Sequence, residues 1–127
     1  MVPEHMSVLH FNLADIAENQ VLGGKVKTLL TPEKLGKDNP SQKFAHGDFK
    51  PGEGLRAHLH PESSEIYFVV KGDGTVFLGE SLTDKRIRAG DILFIPPRTI
   101  HAVKNTGKEI LEIAFFLVPG SESSKEA

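Results

Sequence analysis

The sequence contains no cysteine and no tryptophan, and only a single tyrosine. Without thiols it can form no disulfide, thiolate zinc site, iron–sulfur cluster or thiol nucleophile, so imidazole and carboxylate are the side chains left to bind a metal. Excess charge is lacking too: 15 Lys and Arg against 17 Asp and Glu give a formal charge of -2. That balance offers no summed field for a phosphate backbone or an anionic surface, so neither nucleic acid nor membrane is an expected partner. No apolar run approaches the roughly 20 residues of a membrane span, and Met1 to Ser7 lacks the apolar stretch of a secretory signal. A cytoplasmic location is therefore expected, with either Met1 or Met6 as the native start. A chain of 127 residues has room for one domain of ordinary size.

What is present divides into three stretches: an N-terminal segment over 1–41, a β-rich body over 42–119 and a polar tail over 120–127 expected to be disordered. Asn12 is a suitable N-cap for a short helix carrying Leu13, Ile16 and Ala17 and ending near Asn19. Gly23-Gly24 punctuates, and Lys25 to Leu30 then alternates polar and apolar residues as a strand with one wet face does. Glu33 to Ser41 reads as a mobile loop with room for one helical turn. From Gln42 onward, turn residues recur at intervals of about ten, the spacing of an antiparallel sandwich or barrel. They divide Gln42–Phe49, Leu55–His60, Glu65–Val70, Thr75–Leu78, Lys85–Arg88, Ile92–Ile95, His101–Lys104 and Glu109–Val118 into about eight strands. Ile66 to Val70 and Ile110 to Val118 are nearly all apolar, so a second sheet or another subunit must cover their faces.

Six histidines carry most of the possible chemistry. Side chains two apart on a strand share a face, so His58 and His60 point together while Ala57 and Leu59 pack the other way. The turn Pro61 to Ser64 delivers Glu65 beside the pair, and His101, after the rigid Pro96-Pro97 corner, can meet them if the barrel closes. A His-x-His pair alone can equally be two surface or hydrogen-bonded core rings.

The spacing of these residues resembles the cupin family. Its first motif runs Gly, five residues, His-x-His, three or four residues, Glu, six residues, Gly, and here those positions are Gly52, His58, His60, Glu65 and Gly72. The second motif is matched by Gly90, Pro96, His101 and Asn105, with one departure: Arg98 stands where the motif has Gly. The resemblance implies an all-β, cupin-type double-stranded β-helix, a jelly-roll barrel, here with a short N-terminal helix. It also implies one divalent transition metal (Fe, Mn, Ni, Co, Cu or Zn) held by His58, His60, Glu65 and His101. Such a donor set leaves open positions on an ion that prefers five or six ligands.

Around that set, Arg56 shares the strand face of His58 and His60 and is suited to hold a substrate carboxylate, unless it belongs to the turn and points to solvent. Tyr67 shares the face of Glu65, so its hydroxyl can orient a ligand or donate a proton; its other reading is core. These two are the expected catalytic residues. Arg98 reads as an exposed turn charge or a gate. Gly52, Gly72 and Gly90 read as turn glycines and Asn105 as an Asx residue satisfying backbone groups. His46 is left out of the ligand set, and His5 and His10 have no assigned role. Phe44, Phe68, Phe77, Phe94, Phe115 and Phe116 follow strand periodicity and imply a small, largely apolar pocket.

The functional expectation is a metal-dependent enzyme of the cupin type. Dioxygenase chemistry on a small oxygenated or carboxylate-bearing metabolite comes first, and isomerase or lyase chemistry is the variant. The alternative from another class is a non-catalytic cupin that binds a small ligand. Exposed barrel edges, one of which the Lys25 to Leu30 strand of a second copy can cover, imply a homodimer.

Overall fold

The computed structural model describes residues 8–35 and 42–120. Apolar residues there recur with period two between turn residues, a pattern that suits strands with one face toward a core. Ten strands form: β1 (Asn19–Val21), β2 (Gly24–Leu30), β3 (Lys43–Phe49), β4 (Gly54–His58), β5 (Ser63–Lys71), β6 (Asp73–Leu78), β7 (Thr83–Arg88), β8 (Ile92–Ile95), β9 (His101–Lys104) and β10 (Leu111–Pro119). A single helical turn, α1 (Pro32–Leu35), follows β2. The strands make two antiparallel sheets, one ordered β1-β2-β3-β10-β5-β8 and the other β4-β9-β6-β7. Each of the eight strands expected beyond Gln42 has its counterpart, with boundaries shifted by a few residues.

The core lies between the sheets. Tyr67 and Val69 from β5, Ile113 and Phe115 from β10, Val76 from β6 and Val103 from β9 are all buried. Their neighbours along the strands face outward, as the pleat requires: Phe68 and Val70 are 40% and 42% exposed, and Ile92 and Phe94 on β8 are 70% and 63% exposed. The second sheet thus covers the inner face of the apolar β5 run, and its outer face stays open in the single chain.

The N-terminal segment departs from its helical expectation. Asn12 does cap, its Oδ1 accepting from the Ala14 N–H at 2.8 Å, but only one 3-10 turn follows, Leu13–Asp15. The helix ends early because Asn19 is engaged elsewhere: its Oδ1 accepts from the Thr28 N–H and hydroxyl, which ties residues 19–21 to β2 as β1. The hairpin turns at Leu22 and Gly23, both at positive φ (50° and 83°), the combination a tight two-residue turn of the primed type requires. β2 in turn pairs with β3 of its own chain, so the Lys25 to Leu30 strand already has partners on both sides. The latter part of the 33–41 loop and the polar tail beyond Gly120 lie outside the described residues.

Gly54 shows how closely the neighbouring strands β4 and β9 are drawn together within the four-stranded sheet. A Cβ there would overlap the Val103 carbonyl oxygen and crowd Lys104 Cα at 2.8 Å, with backbone atoms on the other side of each contact. Gly54→Ala is therefore expected to cost about 3 kcal/mol, because backbone cannot swing aside as a side-chain tip does. Chemical denaturation checks this. An unchanged midpoint would mean that β4 and β9 separate freely.

Candidate metal centre

The four-stranded sheet and the connection that leaves it supply three of the side chains. His58 ends β4, His60 follows in the connection to β5, and His101 opens β9 directly opposite His58 in the ladder. Glu65 comes from β5 in the other sheet, so the cluster bridges the two layers of the barrel. The ligand atoms of His58, His60, Glu65 and His101 all lie within 4.8 Å of one another. Ring centroids are 4.2 Å apart for His58 and His101, 5.1 Å for His58 and His60, and 5.4 Å for His60 and His101.

Backbone carbonyls set the tautomers. Nδ1–H of His58 donates to the Arg56 carbonyl and Nδ1–H of His101 to the Thr99 carbonyl, each at 2.8 Å; a carbonyl can only accept, so in the neutral rings both Nε2 atoms carry lone pairs. His101 Nε2 lies 2.9 Å from Glu65 Oε1. A neutral imidazole lone pair and a carboxylate at that distance repel unless a cation sits with them, either a proton on Nε2 or a metal ion. His60 Nε2 is 3.2 Å from the same oxygen, yet it is buried with no hydrogen bond because the direction is wrong. Outward-held Nδ1–H groups, inward Nε2 atoms, one orphaned nitrogen and one carboxylate are the donor chemistry of a possible site for a divalent transition metal.

Electrostatics agree with that geometry. Burial, reinforced by the neighbouring His101, outweighs the pull of the Arg56 carbonyl and keeps the His58 imidazole below its usual value, so the ring is neutral and free to ligate. Burial alone would raise Glu65, but its contacts with His101 and His60 outweigh burial and hold the carboxyl below its usual range.

The residues expected around the cluster are placed as follows. A bulge between Leu55 and His58 sets two β4 residues, Arg56 and Ala57, against one on β9, Ala102, so Leu55 and His58 both face inward and strict alternation fails. Arg56 therefore does not share the face of His58: it is exposed and lines a separate groove with Gly23 and Phe77. Ala57, within the bulge, and Leu59, which alternates with His58 and His60, face away from the cluster as expected but are exposed rather than packed. Tyr67 is fully buried, its ring edge-on to His101 at 6.1 Å and to Phe115 at 4.8 Å. Burial, with the Glu65 charge in the same sense, pushes its hydroxyl well above the usual phenol range, so the proton stays on, and the hydroxyl has no hydrogen-bond partner.

Arg98 takes φ 63°, which explains why a glycine suits that motif position. Its N–H donates to the His60 carbonyl at 2.8 Å and its guanidinium to the Pro61 carbonyl at 2.9 Å, tying the His60 segment to the loop before His101. His46 lies on the outer face of the large sheet, buried and bonded through Nε2 to Glu112 at 2.8 Å. Together with Asp48 it forms a second group of ligand atoms within 4.8 Å, apart from the first. Gly52, Gly72 and Gly90 all have positive φ.

A cavity of about 80 Å³ opens beside the cluster, bounded by His58, His60 and Glu65 on one side and by Ala45, Phe115 and Leu117 on the other. The β1–β2 hairpin closes it with Val21, Leu22 and Val26. One lining residue was not anticipated from the sequence: Lys43, at the start of β3. Its signal was the inward alternation Lys43, Ala45, Gly47, Phe49, which places a cation on the face that is otherwise apolar.

Because the Tyr67 hydroxyl is buried and unpartnered, Tyr67→Phe is expected to raise stability by about 1 kcal/mol, the reverse of an ordinary loss of a buried hydrogen bond. Thermal and urea unfolding of the two proteins measure it; a clear loss of stability would reveal a partner for the hydroxyl.

Comparison with known proteins agrees with this architecture. A family model described as "Cupin domain" matches residues 45–118. The chain is 35% identical over 109 residues to "Polyketide synthase CurC" of Streptomyces cyaneus, covering 85% of this chain and 68% of that protein. It is 28% identical over 95 residues to the "Oxalate-binding protein" of Thermotoga maritima, covering 75% of this chain and 77% of that one. Among solved structures it is similar to one described as a predicted oxalate decarboxylase from Thermotoga maritima, with a TM-score of 0.73 at 24% identity, over 87% of this chain and 99% of that one.

Proposed function

The chain belongs to the cupin domain family, and from that premise we propose that it is a metal-dependent enzyme, first of all a dioxygenase, acting on a small oxygenated or carboxylate-bearing metabolite. The observation that carries this reading is the set of inward lone pairs: two imidazoles locked with Nδ1–H toward backbone carbonyls, and a third with a buried nitrogen that makes no hydrogen bond, all around one carboxylate. His58, His60, Glu65 and His101 hold one divalent ion of the series Fe, Mn, Ni, Co, Cu or Zn. When bound, such an ion supplies open positions at which a substrate and dioxygen can meet.

The residues of the chain do the rest. Glu65 offsets the positive charge of the ion. Phe115, Leu22 and their apolar neighbours exclude water and keep the bound molecule small. Tyr67 keeps its proton on Oη at neutral pH, so its hydroxyl can offer a hydrogen bond but does not act as a base. Arg56, on the far groove, has no part in this reading.

The test is elemental analysis of protein prepared without metal-affinity purification, followed by oxygen-uptake screening with small diketones, thiols and hydroxy acids. About one transition-metal equivalent per chain and consumption of oxygen with one substrate class are expected; protein that takes up no metal overturns the reading. A second reading, a non-catalytic binder, draws on the similarity to a protein named for binding oxalate. Reversible ligand binding by the metal-loaded protein, without turnover, would favour it.

The proposed assembly is a homodimer. Phe68, Val70, Ile92 and Phe94 form an exposed apolar face on β5 and the edge strand β8, the kind of surface a second copy covers. Sedimentation at micromolar concentration is expected to show a dimer, and Phe94→Asp to shift it to monomer. Monomer alone in the unsubstituted protein refutes the assembly.

A further inference from the structure

Lys43 is the one cation lining a cavity whose other walls are apolar side chains and the His/Glu cluster. It opens β3 with the parity of Ala45 and Phe49, both of which are buried in the barrel. Its register partner on β10 is Leu117, and the partner of Leu117 on β5 is Glu65, so Lys43 and Glu65 stand in one row across three strands. Two strand spacings put their backbones about 10 Å apart. Lys43 is half-buried, and among the described residues its ammonium has neither an ion-pair nor a hydrogen-bond partner. A lysine that lines an apolar wall without a counter-charge is placed to gain from an anion that enters with the ligand.

We infer that Lys43 is the second anchor of the ligand site and that the ligand is a small organic dianion, one carboxylate at the His/Glu cluster and the other on the Lys43 ammonium. This rests on the metal-centre reading, and it narrows the substrate class to molecules with two separated acidic ends. A single carboxylate satisfies one anchor and leaves the other bare. The apolar stretch between the anchors, Leu117 with Ala45 and Phe115, suits the short methylene spacer of such a molecule. Lys43 acts here as a specificity-determining residue; it transfers no proton and holds no metal.

The experiment compares succinate with butyrate, equal in carbon number but not in charge, by titration calorimetry on the protein loaded with metal and checked by elemental analysis. In the unsubstituted protein succinate is expected to bind about ten- to hundredfold more tightly than butyrate, the range a partly buried charge-assisted hydrogen bond supplies. Lys43→Met should remove that gap while leaving butyrate affinity and metal content unchanged. Lys43→Arg should keep most of the gap, and Lys71→Met, at an exposed lysine of β5, should keep all of it. Equal binding of the two acids by fully metal-loaded protein overturns the inference while the metal centre stands, and this comparison needs no variant. A gap that survives Lys43→Met overturns it as well. Protein that takes up no metal overturns both, and the elemental analysis shows which has failed.

Discussion

Replacing His58, His60 or His101 by Ala is expected to abolish stoichiometric metal binding, with each substitution weakening affinity by at least about a hundredfold. The argument is one of geometry rather than of ligand count. His58 and His101 face each other across the β4–β9 ladder, and both rings are fixed from behind by backbone carbonyls. Removing one ring leaves the other nitrogens aimed at the same point, but with too few donors to hold a labile ion against water. His46→Ala is the control: its ring lies on the outer face of the large sheet, bonded to Glu112, and its loss is expected to leave metal content at the cluster unchanged. Glu65→Gln is a stricter test, because the amide nearly preserves size while removing the charge that offsets the ion. Metal analysis after gel filtration of each variant decides the matter, and full retention by a triple His variant would sink the assignment.

The four residues of this cluster were legible in the sequence because the spacing of motif glycines, histidines and glutamate is a local property, set by turns that the chain advertises. Gly52, Gly72 and Gly90 each take positive φ where the strands reverse, so the strand boundaries followed from residue type alone. What alternation could not show was the bulge after Leu55. One extra residue in β4 turns Arg56 outward and preserves the inward aim of His58, and no residue in Arg56-Ala57-His58 marks that insertion. The N-terminal segment failed for a related reason. Asn12 is a genuine cap, but whether a helix continues past a cap depends on tertiary competition, and here Asn19 is drawn away to Thr28. Lys43 borders a polar loop, where a lysine looks solvated; its parity with Ala45 and Phe49 is a weak signal, and the register with Leu117 and Glu65 places it at the cavity.

Asn105 is the residue whose conservative replacement is expected to cost most outside the cluster. It is 1% exposed, and its amide is used at both ends. Nδ2 donates to the Phe49 carbonyl at 2.8 Å and to the Glu109 carbonyl at 2.7 Å, while Oδ1 accepts from the Gly107 N–H at 2.9 Å. The side chain thereby joins the end of β3 to the turn that leads into β10, next to the Asn105 backbone contacts with Gly52 and Glu53. Asn105→Asp keeps the shape and the acceptor but loses both donors, and it sets a buried carboxylate against two carbonyl oxygens. Two unsatisfied acceptors at about 1 to 3 kcal/mol each, with charge repulsion added, predict a loss of about 4 kcal/mol or more. Asn105→Ala loses the same bonds without the charge and should be the milder variant, an ordering that a purely steric role would not produce. Urea denaturation of both proteins at neutral pH checks the order, and because Asn105 directly follows the short strand β9 that His101 opens, metal affinity is expected to fall with stability in the Asp variant.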